Sequence, residues 1–280
     1  MIGILDMGGG VRGAYGAGVL DYCLDRHIIF DYCVGVSAGA GNLVTYVARQ
    51  RGRNIRFYVK YQFRKEYMGF RNKLKTGNFV NLEYIYGTLT NSDGEDPLDY
   101  DAFMSSETDM CSVATDALTG KPVYFYKKDC ERDDYGMIKA SSCMPIANRP
   151  YEFRGRLLFD GALSDAIPLE HAFADGCDRV VVILTKPRDF YRDPKDDAFF
   201  AKMLRPHYPQ AARKLAGRAL LYNLQLDLCK YYEKQGKVCI VAPDDIGGIK
   251  TLSKDRDAEF RLYYKGYKDA EAIDKFIACG

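Results

Sequence analysis

The chain has 280 residues, 47% of them hydrophobic and 28% charged, with a net charge of +2. That composition fits a globular α/β chain with a well-buried core and offers no global case for nucleic acid. Nine cysteines without a C-x-x-C pair exclude a zinc ribbon and suggest no disulfide framework.

Residues 1–7 read as a short strand, and the glycine-rich stretch "DMGGGVRGAYGAG" follows at once (Asp6–Gly18). The opening residues lack a basic region and a long apolar run, so no signal peptide is expected. No apolar run approaches the roughly 20 residues of a membrane span. The cysteines sit mostly in apolar contexts, as in "FDYCVGV" and "KVCIVA", which predicts reduced core thiols and a cytoplasmic protein. Tyrosine is abundant, at 22 residues, and no function accounts for it.

Val11 to about Arg26 reads as a helix whose small residues would let it lie close against a sheet. "FDYCVGV" (Phe30–Val36) is a second strand, and Ala38 to Arg51 a second helix. This βαβα order predicts a parallel sheet covered by helices. Between the second strand and helix stands "GVSAG", Gly35–Gly39, a G-x-S-x-G. That is the setting of a nucleophile elbow, a turn so tight that only small residues fit beside Ser37. The bland alternative is a plain turn in which Ser37 caps the helix.

The glycine run also satisfies G-x-G-x-x-G through Gly8, Gly10 and Gly13. A dinucleotide fold would need an acid near the end of the second strand. That strand ends in Val36-Ser37, and Asp31 lies at its start, so a dinucleotide-binding protein is the weaker alternative. With neighbouring strand ends, the Gly8–Gly10 amides would point at the space above Ser37, where an oxyanion needs donors.

Residues 49–75 hold ten Lys or Arg against Glu66 alone, with six interleaved aromatics. The stretch carries +9, so the remainder carries −7. It reads either as a solvated face or as a lid that meets an anionic membrane surface. Residues 76–107 are polar and turn-rich, with "NSDGEDPLDYD" as the clearest loop. "MCSVATDALTGKPVYFYKK" reads as two strands joined at Leu118-Thr119-Gly120, and "YGMIKASSCM" as a helix ending before Pro145. "RLLFDG" is a strand that delivers Asp160 to the same sheet edge as Ser37. "LEHAFADG" is a short helix and "DRVVVILT" a buried strand. Residues 187–208 form a charged, proline-bearing connection. Helices over 209–235 and 255–279 flank a last strand, "KVCIVA".

A serine needs a base, and only His27, His171 and His207 are available as histidines. None sits in a context that demands catalysis. Asp160, ending an apolar strand before Gly161, is the better placed carboxylate, and partial burial would raise its proton affinity.

Taken together, Gly8–Gly13 (G-G-G-x-R-G), Gly35–Gly39 (G-x-S-x-G) and Asp160-Gly161-Ala162 resemble the motif set of bacterial patatin-like phospholipases. "TDALTGKPVYF" and "ASSCMP" also resemble family segments, and the similarity covers about residues 1–185. The resemblance implies a three-layer αβα sandwich with a mostly parallel sheet, built as one domain over 1–280. Residues 49–107 would form a lid-like region and 187–280 a C-terminal extension. It implies hydrolysis of a lipid acyl ester by a Ser37–Asp160 dyad without histidine, cofactor or metal. Gly8, Gly9 and Gly10 would supply oxyanion donors, and Arg12 would steady that loop or a substrate's negative group. Gly13, Gly35, Gly39 and Gly161 are the remaining motif glycines. A lipid- or partner-binding protein of negligible turnover on the same fold is the alternative. No nucleic-acid partner is expected.

Overall fold

A computed structural model describes residues 1–278 of the chain. In chain order the strands are β1 (Ile2–Asp6), β2 (Tyr32–Val36), β3 (Asp109–Asp116), β4 (Pro122–Tyr126), β5 (Tyr151–Phe153), β6 (Arg156–Asp160), β7 (Arg179–Ile183) and β8 (Val238–Val241). The helices are α1 (Ala14–Asp25), α2 (Ala38–Val47), α3 (Arg53–Val59), α4 (Phe70–Thr76), α5 (Tyr100–Ser105), α6 (Gly136–Ser141), α7 (Leu169–Ala174), α8 (Ala198–Leu204), α9 (Pro209–Glu233), α10 (Arg256–Asp269) and α11 (Glu271–Ala278).

The strands form one mixed sheet in the order β5-β6-β3-β2-β1-β7-β8, with β4 paired to β3 off that path. The run from β3 through β2, β1 and β7 to β8 is parallel, as the βαβα pattern predicts. Strand residues alternate between two cores. Ile4, Cys33 and Val181 face the side covered by α1, α2 and α10, whereas Leu5, Val34 and Val182 face α7 and α9. Both faces of the parallel strands are therefore buried, which is why their sequences run continuously apolar. The result is a three-layer αβα sandwich.

Several elements differ from the sequence expectation. The hairpin partner β5 and helix α8 lie in segments read as loop or connection. The predicted C-terminal helix over 255–279 divides at Ala270 into α10 and α11, and its last residue, Cys279, lies outside the described residues. The other eight cysteines are unpaired, and all but Cys239 are buried.

The small residues of α1 do not serve the sheet alone. A Cβ at Gly16 would meet the Asp6 carboxylate at the end of β1, but one at Gly18 would run into the backbone of Tyr263 on α10. Gly266 of α10 lies equally close to the backbone of Tyr15. The two helices are then tied by Tyr–Asp hydrogen bonds. Tyr15 donates to Asp269 (2.8 Å) and Tyr263 to Asp21 (2.8 Å). Tyr22 donates to Asp274 on α11 (2.6 Å) and Tyr267 to Asp25 (2.9 Å). Part of the tyrosine excess thus joins the two ends of the sequence. Gly18→Val is expected to lower stability by about 1–3 kcal/mol through overpacking of this contact. Urea denaturation measures it, and wild-type stability in the variant would exclude the close α1–α10 approach.

Candidate active site

Ser37 and Asp160 meet because two strands end head to head on one edge of β3. β2 runs parallel to β3, and its last residue, Val36, pairs with Val113. β6 runs antiparallel, and its last residue, Asp160, pairs with Ala114, the next position along. Ser37 and Asp160 are therefore delivered to the same point from opposite directions. Gly161 follows Asp160 where a Cβ would strike the Val113 carbonyl.

The turn at Ser37 has the strain an elbow requires. Ser37 adopts φ 57° and ψ −131°, a conformation that L residues rarely hold. Its amide donates to the Ser141 hydroxyl (2.8 Å), and its carbonyl accepts from Ala40 (2.9 Å). Gly35 lets β2 approach Ala40 of α2. Gly39 brings α2 against the backbone of Asp6, the end of β1.

Gly8, Gly9 and Gly10 all have positive φ (65°, 129° and 62°), which explains three consecutive glycines. The loop rests on the elbow: a Cβ at Gly8 would strike the Val36 carbonyl and crowd the amides of Ala38 and Gly39. The Gly8 amide itself is not free. It donates to Asp6 Oδ1 (2.8 Å), so the sequence expectation of three equivalent donors does not hold at Gly8. The amides of Gly9 and Gly10 have no hydrogen-bond acceptor among the described residues. Gly13 abuts the Tyr58 hydroxyl, and Arg12 is buried with its Nη1 donating to Thr251 Oγ1 (3.1 Å).

Four residues that hold this loop escaped the sequence reading. Asp6 is fully buried and also accepts from Asn42 Nδ2 (2.9 Å). Burial pushes its carboxyl up to about 6, against the stabilising bonds from Asn42 and Gly8. Asn42 donates in turn to the Gly13 carbonyl (2.9 Å) and accepts from Tyr58 (2.9 Å). Thr185, just past β7, donates to the Gly8 carbonyl, and Thr251 accepts from the Val11 amide (3.0 Å). Only Asp6 carried a local signal, since it ends a strand directly before the glycines.

Asp160 is buried, and burial raises its carboxyl above the usual carboxylate range. The Ser37 hydroxyl, the Ala162 amide (2.9 Å from Oδ1), Arg218 and Arg192 act in the opposite direction. No histidine adjoins the pair. His171 stacks on Tyr124 with ring centroids 3.6 Å apart and faces Asp175 at 3.2 Å. His27 and His207 are exposed.

A largely apolar cavity opens beside Ser37, walled by Phe57, Tyr58, Met68, Leu82, Ile85 and Met144. Most of this wall comes from the basic-aromatic stretch and the turn-rich segment after it. Half of the cations in the stretch are paired in space. Arg51 pairs with Asp25 (2.8 Å), Arg53 and Arg56 with Asp96 (3.5 and 2.6 Å), and Lys60 and Arg64 with Glu95 (2.9 and 2.5 Å). The loop "NSDGEDPLDYD" thus supplies counter-ions to the stretch that precedes it. No helix among the described residues is long and apolar enough to cross a membrane.

A family model described as patatin-like phospholipase matches residues 7–173, and a domain of unknown function (DUF6363) matches residues 208–275. The uncharacterized protein YjjU of Escherichia coli (strain K12) is 29% identical over 209 residues, which is 69% of this chain and 54% of that protein. The chain therefore spans about half the length of this curated relative. Among solved structures, VipD from Legionella pneumophila aligns over 98% of this chain and 66% of its own at a TM-score of 0.50, with 14% identity, a likeness of fold. With the glycine loop, elbow and Asp-Gly turn all inside the matched residues, the chain belongs to the patatin-like phospholipase family.

Proposed function

We propose that the chain is a serine acyl hydrolase that cleaves lipid acyl esters through an acyl-enzyme on Ser37. The observation that carries this reading is the head-to-head convergence of Ser37 and Asp160 at β3, beside a loop with unpartnered amides and an apolar cavity. Asp160 takes the hydroxyl proton as Ser37 Oγ attacks the acyl carbonyl. The oxyanion collects on the Gly9 and Gly10 amides and on the amide of Ala38, the residue after the nucleophile. The C–O bond to the alcohol breaks, and Asp160 returns the proton to the leaving oxygen. A water molecule then gives its proton to Asp160 and attacks the acyl carbonyl. The fatty acid leaves, and Ser37 recovers its proton.

A fluorophosphonate probe tests this directly. Labelling of Ser37, together with hydrolysis of p-nitrophenyl esters and members of a lipid panel, is expected. A folded protein that neither labels nor hydrolyses would be a lipid- or partner-binding protein instead. Because no imidazole moves a proton here, His27→Ala, His171→Ala and His207→Ala are each expected to keep activity within about tenfold of wild type. Asp160 accepts a proton only when ionised, so the rate should rise with pH through a carboxyl pKa displaced above the ordinary value of about 4. An inactive but folded His171→Ala protein would make Asp160 an orienting residue.

The membrane contact proposed for residues 49–75 narrows to α4. Phe70 and Leu74 are 79% and 88% exposed there, next to Arg71 and Lys75. Met68, just before α4, lines the cavity. Apolar side chains flanked by cations suit an anionic interface, where each cation contributes about 1 kcal/mol. Phe70→Ser with Leu74→Ser is expected to weaken sedimentation with anionic vesicles while leaving the fold unchanged. Equal binding by wild type and the double variant would remove α4 as the contact.

A further inference from the structure

The cavity beside Ser37 is largely apolar, yet Tyr67, Tyr86, Ser142 and Asn54 also line it. Tyr86 comes from a single π-helical turn, Tyr84–Thr88, closed by the Leu89 amide on the Tyr84 carbonyl (3.0 Å). Such turns are rare and occur mostly at functional sites. Thr90 pins this one. Its hydroxyl donates to the Ile85 carbonyl (2.7 Å) and accepts from Arg53 of α3 (3.1 Å).

Helix α2 sets the level of these polar groups. A Cβ at Gly41 would meet the Tyr86 hydroxyl. Gly41 lies four residues beyond Ser37, about 6 Å along the helix axis. Asn54, which follows Arg53, donates from Nδ2 to the carbonyl of Asn42, the neighbour of Gly41 (3.0 Å). Ser142 follows Ser141, whose hydroxyl accepts from the Ser37 amide, and itself donates to the Tyr86 hydroxyl (3.4 Å). The group therefore faces the first few carbons beyond the acyl carbonyl.

Its hydrogen bonds are incomplete. Among the described residues, the Tyr67 and Tyr86 hydroxyls have no acceptor and Asn54 Oδ1 has no donor. Tyr58, on the same wall, differs, because its hydroxyl donates to Asn42 Oδ1 (2.9 Å). Burial raises both free phenols. Tyr86 adds to the effect at Tyr67, and Asp160 adds to it at Tyr86 against Ser142 and Arg53. Both phenols thus keep their protons at neutral pH and remain donors. A plain alkyl chain in the cavity would displace water from two donors and an acceptor and replace none of its hydrogen bonds, which is costly.

We propose that Tyr67, Tyr86 and Asn54 select acyl chains that carry a hydroxyl near the carbonyl, the β-hydroxyacyl class. The proposal rests on the acyl-hydrolase reading above and adds the class of its acyl group. One hydroxyl accepts from both phenols and donates to Asn54 Oδ1, so it completes all three groups. A keto oxygen only accepts and would leave Asn54 unanswered. Phe57, Met68, Leu82, Ile85 and Met144 take the remaining methylenes.

The test compares β-hydroxydecanoyl and decanoyl esters of the same alcohol. Wild type is expected to favour the hydroxyacyl ester in kcat/KM by roughly tenfold, the scale of one or two hydrogen bonds. Tyr86→Phe and Tyr67→Phe keep the ring and remove only the hydroxyl, and each should lower that ratio severalfold. Calorimetry on the Ser37→Ala protein with β-hydroxydecanoate and decanoate reads the cavity without turnover, and the hydroxy acid should bind more tightly. This arm separates the two readings. Tighter binding of the hydroxy acid by a protein whose wild type hydrolyses neither ester would end the hydrolase assignment and keep the preference of the cavity. Equal kcat/KM for the two esters with equal affinity for the two acids would overturn the selection. A preference that survives both substitutions would overturn it as well.

Discussion

Asp160→Asn is expected to abolish ester hydrolysis as completely as Ser37→Ala, by about 10³-fold or more. The amide cannot accept the Ser37 proton, and no histidine adjoins the pair to take over that role. Ser37 directly follows Val36, the end of β2 opposite Val113, and Asp160 ends β6 opposite Ala114 on the same edge of β3. Asparagine is isosteric and can still accept the Ala162 amide that Asp160 Oδ1 accepts now (2.9 Å). The fold should therefore survive, and unchanged circular dichroism with lost turnover of p-nitrophenyl esters is the expected pair of results. Asp160→Asn should also lose the acid limb of the pH profile, since the group that titrates there is gone. Activity near wild type in either variant would end the dyad assignment.

Gly9→Val should cost about 10²–10³ in rate, the worth of one oxyanion donor. Gly9 holds φ 129°, where valine is strained, and a Cβ there would press on Thr185 Oγ1 and the Arg12 guanidinium. Thr185 supports the loop by donating to Gly8, so the displacement should propagate through the whole turn. Gly9→Ala, with a smaller clash, should fall between wild type and Gly9→Val. Thermal melting of both variants distinguishes a moved loop from an unfolded protein. Tight binding of a nicotinamide or flavin nucleotide by wild type would restore the dinucleotide reading that the second strand argued against.

The parallel core and the placement of Ser37 and Asp160 were legible because their signals are local. Continuous apolar runs mark strands buried on both faces, and glycines mark positions of positive φ or close approach. G-x-S-x-G between a strand and a helix specifies a strained serine with no knowledge of the rest of the chain. Asp160 was legible for the same reason, as the polar end of an apolar strand followed by glycine.

What the sequence could not show depends on pairs far apart along it. The Gly8 amide looks like a donor in sequence but is taken by Asp6, because burial of that carboxylate is tolerable only with hydrogen bonds to it. The excess charge of residues 49–75 looked free. Asp25, Glu95 and Asp96 pair with five of its ten cations once the chain folds back. Thr251 lies 239 residues from Arg12, and only folding places it on the glycine loop. The connection over 187–208 read as charged and proline-bearing, yet it ties the backbone of Arg192 to Asn223 on α9. The sequence by itself determined the parallel strands and the tight turn at Ser37, since these follow from residue size, φ and apolar periodicity. Only the tertiary structure decided which amides stay unpaired and which charges are neutralised. Hydrogen bonding and Coulomb energy depend on distance in space, and neighbours in sequence do not reveal it.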